Sequence, residues 1–436
     1  MTILNESTYR SKVNPMTYYQ GFLAIAAILI FFTRVDVYLD TMGFGIPLYW
    51  MIGFLAASVP LALSLISEKE RLSKPVLVWI AGFIASTFTL IVIQPKLPVM
   101  QNFEDQYRTI IFLLLMLVIF AYHPLVIKWT KYTIMAVTLA NIVMFVLEFF
   151  NPLAFRLEQR APGRSSGFYD DANTAGIALV LGMILTIDLV KPKYRIFYAL
   201  LIFLGLAPTF SRGSIAGWVL LVGLMILMKL IPRTQIPLLG GFAVAILITL
   251  SSQIDNLAYL KTADGTTLFQ EDTLARVEFL IDPFAQSDSS KASRLSHVDD
   301  AWEKFANSPF IGNGLGAGQN AATESQVGKA QRSHNTYLDL MVEFGFLGAL
   351  IYPMMLLASV WKASGTFKQQ GVCFVVFMLF QGFFSHTLLN EFCSLICYAM
   401  VASLARHSSI INLEEKLSIS LYQQLEAKQS LEVDLH

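Results

Sequence analysis

The sequence predicts an all-α polytopic membrane protein: about 12 transmembrane helices and one long helical extracytoplasmic loop. Three observations lead there. Of 436 residues, 55% are hydrophobic and only 14% charged, with a mean hydropathy of +0.57, whereas soluble domains run to roughly 25% charged residues. Apolar runs recur at the length a helix needs to cross a ~30 Å hydrocarbon core. A single connection, residues 253–332, departs from this pattern.

The runs centre near residues 25, 57, 84, 115, 141, 180, 203, 222, 244, 347, 379 and 396. The stretch 107–150 divides near His123 and Pro124, and the last two runs form a tight pair around SHTLLNE. Counts of 11 and 13 therefore stay open. The predicted organisation is a transmembrane bundle of about nine helices over 1–252, the loop 253–332, about three further helices over 333–405, and a cytoplasmic tail, 406–436. The segment before the first run lacks a small-residue cleavage site, so that run reads as an uncleaved span. In the tail, Leu413, Leu417, Leu421 and Leu425 form a narrow stripe, suited to a helix against the membrane or to a partner contact. Cys373, Cys393 and Cys397 all lie in apolar runs and suggest neither disulfides nor zinc. The formal net charge is zero, which gives no sign of a nucleic-acid partner.

Twelve spans put both termini on one side. That side carries 17 of the 31 Lys and Arg, and of the other 14, seven fall in the long loop and are discounted. The positive-inside rule makes the termini cytoplasmic. The kind of cation differs too: 12 Lys and 5 Arg inside, 9 Arg and 5 Lys outside. Topology requires only charge; arginine adds a planar fork matched to phosphate or carboxylate.

On the outer side, 271–281 and 293–305 each show a helical apolar stripe, the second through Leu295, Val298, Trp302 and Phe305. Such helices suit a bilayer surface or the cap of a bundle. Arg294 borders the second stripe, either snorkelling or reaching over a cavity. SPFIGNGLGAG (308–318) has alternating glycines without the Lys-Ser/Thr of a nucleotide loop; it reads as a turn of close backbone approach, its N–H groups open to an anion.

In PTFSRGSIAGW (208–218), Ser211 and Arg212 stand between two apolar runs with almost no loop, where a charge is costly unless it faces a polar cavity. In RAPGRSSGFYDDANTAG (160–176), Arg164 and Asn173 accompany Asp170 and Asp171, which suit an ion pair with a helix cap. RSHNTYLDLMVEFGFLG (332–348) opens an apolar run with Arg332, His334 and Asn335, followed by Asp339 and Glu343. A helix start and Arg332 both disfavour an imidazolium, so a neutral His334 is expected, able to take a proton from a hydroxyl. Asn335 caps the helix or holds the histidine, and the carboxylates orient the site or stabilise the turns. No HExxH-type spacing supports a metal, and no GxSxG elbow supports hydrolysis.

SRG at a span mouth, the loop with Arg294 and SPFIGNGLG, and RSHNTYLDLMVEFGFLG together resemble the bacterial O-antigen ligase/polymerase superfamily, over roughly residues 160–360. GFYDDANTAG is similar to its Asn-containing motif, with Asp-Asp-Ala-Asn where Asn-Pro-Asn is commoner. The resemblance implies a GT-C-like glycosyltransferase of the bacterial inner membrane, with its active site on the periplasmic face and no cofactor or metal. Its donor would be a glycan on undecaprenyl diphosphate, among membrane lipids. The acceptor would be a saccharide, on lipid A-core for a ligase or a lipid-linked repeat unit for a polymerase. Carried over by motif, Arg212 and Arg294 bind the diphosphate and His334 activates the acceptor hydroxyl. Arg164, Asn173, Ser211, Arg332 and Asn335 then line the substrate site.

Ligase-type transfer is the preferred expectation. Arg156 and Gly167 fit an Arg-x10-Gly spacing associated with polymerases. From another class, a polysaccharide or lipid transporter also uses many spans, but the halves show no similarity and the polar residues gather at one face.

Overall fold

The computed structural model describes residues 14–68, 71–93, 100–155, 163–242, 244–245, 289–318 and 333–433. Among these the chain is helical and contains no strand. Helices α1 (Pro15–Ala27), α2 (Val35–Thr41), α3 (Pro47–Ser67), α4 (Lys74–Ile93), α5 (Met100–Ile119) and α6 (Pro124–Phe150) precede the central α7 (Ala172–Thr186). Then come α8 (Arg195–Leu206), α9 (Arg212–Leu227), α10 (Ser289–Asn307), α11 (Thr336–Phe344), α12 (Gly348–Ser359), α13 (Gly365–Gln381) and α14 (Phe392–Val433). Among the described residues, six helices are long and apolar enough to cross a membrane: Pro15–Phe32, Pro47–Ser67, Lys74–Ile93, Pro124–Phe150, Ala172–Leu189 and Phe392–Ser420. Arg212–Leu227 and Gly348–Ser359 are shorter apolar helices.

Local chemistry sets the starts. Proline at the first position opens α1, α3 and α6, where its missing N–H has no partner to lose. The side chains of Asp171, Ser211 and Asn335 cap α7, α9 and α11. α7 packs against α6, α8, α9 and α13, and every residue in it except Asn173 is buried. Small residues allow this: a Cβ at Gly182 would collide with Thr138 of α6, and one at Gly176 with Ser214 of α9.

Polar contacts divide the bundle into two ends. At one, Arg71 donates to Tyr122 O (2.9 Å) and Gln20 Oε1 (2.6 Å), and Lys131 pairs with Asp188, which also accepts from Gln370. At the other lie Arg34, the starts of α7, α9 and α11, and the segment 382–391 between α13 and α14.

Several expectations change. The run centred near 347 is two helices, α11 and α12, broken at Gly345 (φ 71°). The tail is not a separate surface helix: with no Gly or Pro after residue 391, α14 continues unbroken to Val433, and Leu413 and Leu417 are exposed. Helix 293–305 is found within α10, but its packed face is Val298, Ala301 and Phe305 against Leu338 and Val342 of α11, while Trp302 is exposed. The stripe 271–281 and most of the span near 244 lie outside the described residues.

Candidate functional site

The site is assembled around residues 382–391. The first turn of α11 is stitched to this segment: the Thr336 N–H faces Gly382 O (2.8 Å) and Ser385 O (3.0 Å), and Thr336 Oγ1 donates to Ser385 O (2.5 Å). Asn335 Oδ1 accepts from the Tyr337 and Leu338 N–H groups at 3.0 and 3.1 Å, the cap expected from its sequence position. His334 therefore precedes the helix, at φ 56°, and its ring meets that of His386 edge-on, with centroids 4.9 Å apart. Ser333 Oγ donates to the buried Asp339 at 2.5 Å. Tyr337 donates to Leu379 O (2.7 Å).

The carboxylates below His334 have local tasks. Glu343 accepts from the Gly316 N–H at 3.1 Å, while Asn313 N and Gly314 N donate to Val342 O and Glu343 O. The glycine-rich turn is thus a close backbone approach, as expected, but these three N–H groups meet α11 itself. Gly312 (φ 80°) leaves no room for a Cβ against Glu343 O, and Gly345 none against Phe310 O. Asp339 and Glu343 also line a pocket with Asp105, Thr336, His386 and Asn390.

Asn173, Ser211, Arg212, Gln381 and Ser385 line a second crevice along the segment. Ser211 caps α9, so Arg212 is its first residue, and Gln381 Nε2 reaches across to Gly213 O at 3.0 Å. Arg164 donates to Thr209 O (2.8 Å) and to Asn173 Oδ1 (3.0 Å). Asp171 caps α7 as expected; Asp170 stands 3.8 Å from Arg34 Nη2. The loop bearing Arg164 hangs on buried Glu148, which accepts the N–H groups of Ser166 (2.8 Å) and Gly167 (2.6 Å). Gly167 packs its α-carbon against Met144 and Phe145 at φ 57°, which explains the glycine without a substrate role. The starts of α7 and α9 bring positive dipole ends to this arginine-bearing crevice, an arrangement that suits an anion.

Five non-glycine residues among those described have positive φ. Lys229 and Lys362 follow helix C-termini, where that geometry is routine. The other three, Phe210, His334 and Arg34, all adjoin or form helix starts on this face. Unfavourable backbone held in place by its surroundings clusters at functional sites.

Of the expected residues, Asn173, Ser211 and Arg212 line one crevice, Arg164 bonds to Asn173 beside it, and His334, followed by Asn335, meets His386 of the same segment. Arg294 lies on α10, which packs on α11; nothing is described of its side chain. Arg332 and Arg156 lie outside the described residues. Sequence reasoning missed His386 and Gln381, and it saw no special role for Arg34. The signal was present in SHTLLNE, too polar for a simple turn between spans.

Residues 197–352 match the O-antigen ligase family. This match supports the resemblance to the O-antigen ligase/polymerase superfamily. The match includes Ser211, Arg212, Arg294, Arg332, His334 and Asn335, but neither Arg164 nor Asn173 nor the segment 382–391. No curated protein matches the chain. The match, together with several membrane-length helices, supports a membrane-bound, glycosyltransferase-like ligase or polymerase of O-antigen biosynthesis.

Proposed function

We propose that this protein is an O-antigen ligase-like glycosyltransferase. It moves a glycan from undecaprenyl diphosphate to a saccharide hydroxyl such as that of lipid A-core, at the periplasmic face of the bacterial inner membrane. Twelve passes, a GT-C-like arrangement and cytoplasmic termini belong to the same reading. The carrying observation is that Arg212 and His334 both adjoin a single segment, 382–391: Arg212 shares a crevice with Ser385, and the His334 ring meets that of His386.

Arg212, with Arg294 delivered by α10, binds the donor diphosphate; bidentate guanidinium–phosphate contacts neutralise the charge that grows on the leaving group. Asn173 and Ser211 shape the crevice, Arg164 fixes Asn173, and Arg332 adds positive charge near His334. His334 takes the proton of the acceptor hydroxyl, whose oxygen attacks the anomeric carbon from the face opposite the diphosphate. The anomeric C–O bond breaks, its electron pair leaves with undecaprenyl diphosphate, and the configuration inverts. The imidazolium then returns its proton to solvent or to the released diphosphate.

The test is transfer from a purified lipid-linked donor to a defined acceptor by the full chain in nanodiscs. Arg212→Lys keeps the charge but loses the fork, so turnover should fall at least tenfold; normal turnover overturns the diphosphate assignment. Polymerase action would appear as donor-to-donor coupling without lipid A-core.

A further inference from the structure

A groove of about 720 Å³ between α4 and α12 has no part in the mechanism above. It begins three residues after Arg71, at the end of the bundle that carries Arg71 and Lys131. On α4 its wall is Lys74, Val78, Gly82 and Ser86, one helical face at four-residue spacing, with Trp79 and Phe83 beside them. The facing wall is Ile351, Met354 and Ala358 of α12, with Trp361 just past its end. Trp79 Nε1 donates to Ile351 O at 2.9 Å and its ring stacks on Phe83 at 5.1 Å, which locks both rings into the wall. Gly82 keeps the middle open: a Cβ there would meet no atom within 4 Å. Phe83 also lines the pocket of Asp339 and His386. Its ring lies 6.1 Å from Phe344, just before α12 begins, so α12 runs back from there and brings Trp361 to the Lys74 end.

Wall chemistry and length select the occupant. From Lys74 to Ser86 α4 rises about 18 Å at ~1.5 Å per residue, close to the ~15 Å that one leaflet contributes to a ~30 Å hydrocarbon core. Along this length Val78, Met354 and Leu357 are apolar and exposed, and the Ser86 hydroxyl is turned to its own helix, donating to Gly82 O at 2.8 Å. Such walls suit an alkyl chain and offer little to a sugar. A cation and an exposed indole, Lys74 and Trp361, stand together at one end, and these residue types gather at the headgroup level of a bilayer. Lys74 is the one charged residue in the wall; α4 has no acidic residue in its first turn, and Glu68 is engaged by Arg71 at 2.8 Å. An apolar helix of a second copy would cover Lys74 at a cost, whereas a lipid phosphate complements it. The volume lies within the range of small-molecule sites.

We propose that this groove binds an anionic phospholipid of the adjoining leaflet, with the phosphate at Lys74 and one acyl chain laid along α4 as far as Phe83. The site stands apart from the transferase reading. With cytoplasmic termini the leaflet is the cytoplasmic one, whose surface is negative. The chain then ends against the aromatic wall that backs the pocket of Asp339 and His386.

The experiment places the full chain in phosphatidylcholine nanodiscs with a small fraction of a photoreactive lipid, either phosphatidylglycerol or phosphatidylcholine, each bearing a diazirine on one acyl chain. Peptide mapping locates the label, and native mass spectrometry counts bound lipids and copies of the chain. The phosphatidylglycerol probe should label the peptides holding residues 74–86 and 351–361 about fivefold more than the phosphatidylcholine probe does. Lys74→Gln should bring the two probes level, while Lys74→Arg keeps the preference. Gly82→Phe should remove the label from both peptides by filling the groove, and Ser86→Phe should do so from the far end if the first variant misfolds. Gly82→Ala leaves the space and should label as wild type does. Equal labelling by the two probes or label that survives the Phe variants overturns the site. So does stronger displacement by undecaprenyl phosphate than by unlabelled phosphatidylglycerol, or a lipid-free dimer that covers the groove.

Discussion

Substitutions at His334 should separate chemistry from folding. The residue holds φ 56° immediately before the cap of α11, and its half-buried ring touches His386 at 4.9 Å. The left-handed backbone costs an L-residue roughly 1–2 kcal/mol, and alanine bears it as histidine does. His334→Ala forfeits the ring contact with His386, about 0.5–1.5 kcal/mol. Glycine removes the strain but costs about 0.5–1 kcal/mol in unfolded-chain entropy, so His334→Gly should lie near wild type in stability. Asparagine tolerates the left-handed region and should be the most stable of the side chains that lack a base. A positioned base is worth typically 10²–10⁴-fold, or about 2.7–5.4 kcal/mol of barrier. All three variants should thus lose at least ~100-fold in kcat while Tm moves only a few degrees. The measurements are transfer from a lipid-linked donor in nanodiscs and thermal unfolding of the same preparations. Retention of more than about a tenth of wild-type kcat in any variant refutes the base, and so does activity that merely follows Tm.

Asn335→Ala removes the acceptor of two α11 N–H groups and should cost about 1 kcal/mol, whereas Asn335→Asp should retain the cap; equal Tm values for the two would contradict it. Glu148→Ala leaves the buried Ser166 and Gly167 N–H groups without their acceptor, at roughly 1–3 kcal/mol each. Glu148→Gln keeps an oxygen there and should fall between wild type and alanine in thermal unfolding, with donor KM rising as the Arg164 loop loosens. Burial raises Asp36 from 3.8 to about 6, so its stabilising contribution is full at low pH and is lost as pH rises through that value. The Tm of wild type minus that of Asp36→Asn should therefore decline as pH climbs across this interval, and a flat difference would count against the burial argument.

What the sequence revealed was whatever is local. Run length marks the spans; Asn335 and Ser211 are caps by residue type; Arg212 and His334 stand out because each is polar where lipid-facing residues belong. The partnerships were hidden because they join distant positions. Gln381 finds Gly213 across 168 residues, and Glu391 finds Arg34 across 357. No periodicity carries such information. SHTLLNE is too polar for a simple turn, but its pattern does not name the helix it receives, α11.

α11 has nine residues, too few to be stable alone in water. Tertiary contacts hold both of its ends: at the start, Thr336 bonds to Gly382 and Ser385; at the end, Asn313 and Gly314 donate to Val342 and Glu343, and Phe346 donates to Pro309. This double fixation explains how His334 can keep an unfavourable backbone geometry on a short helix. It also explains why the glycine-rich turn has no need of a substrate anion. The position of His334 thus depends on contacts from residues 308–316 and 382–385, two segments that lie outside α11. The break at Gly345 separates the short α11, whose start follows His334, from the apolar α12, so the geometry at His334 is set by the contacts of α11 and not by the direction of α12.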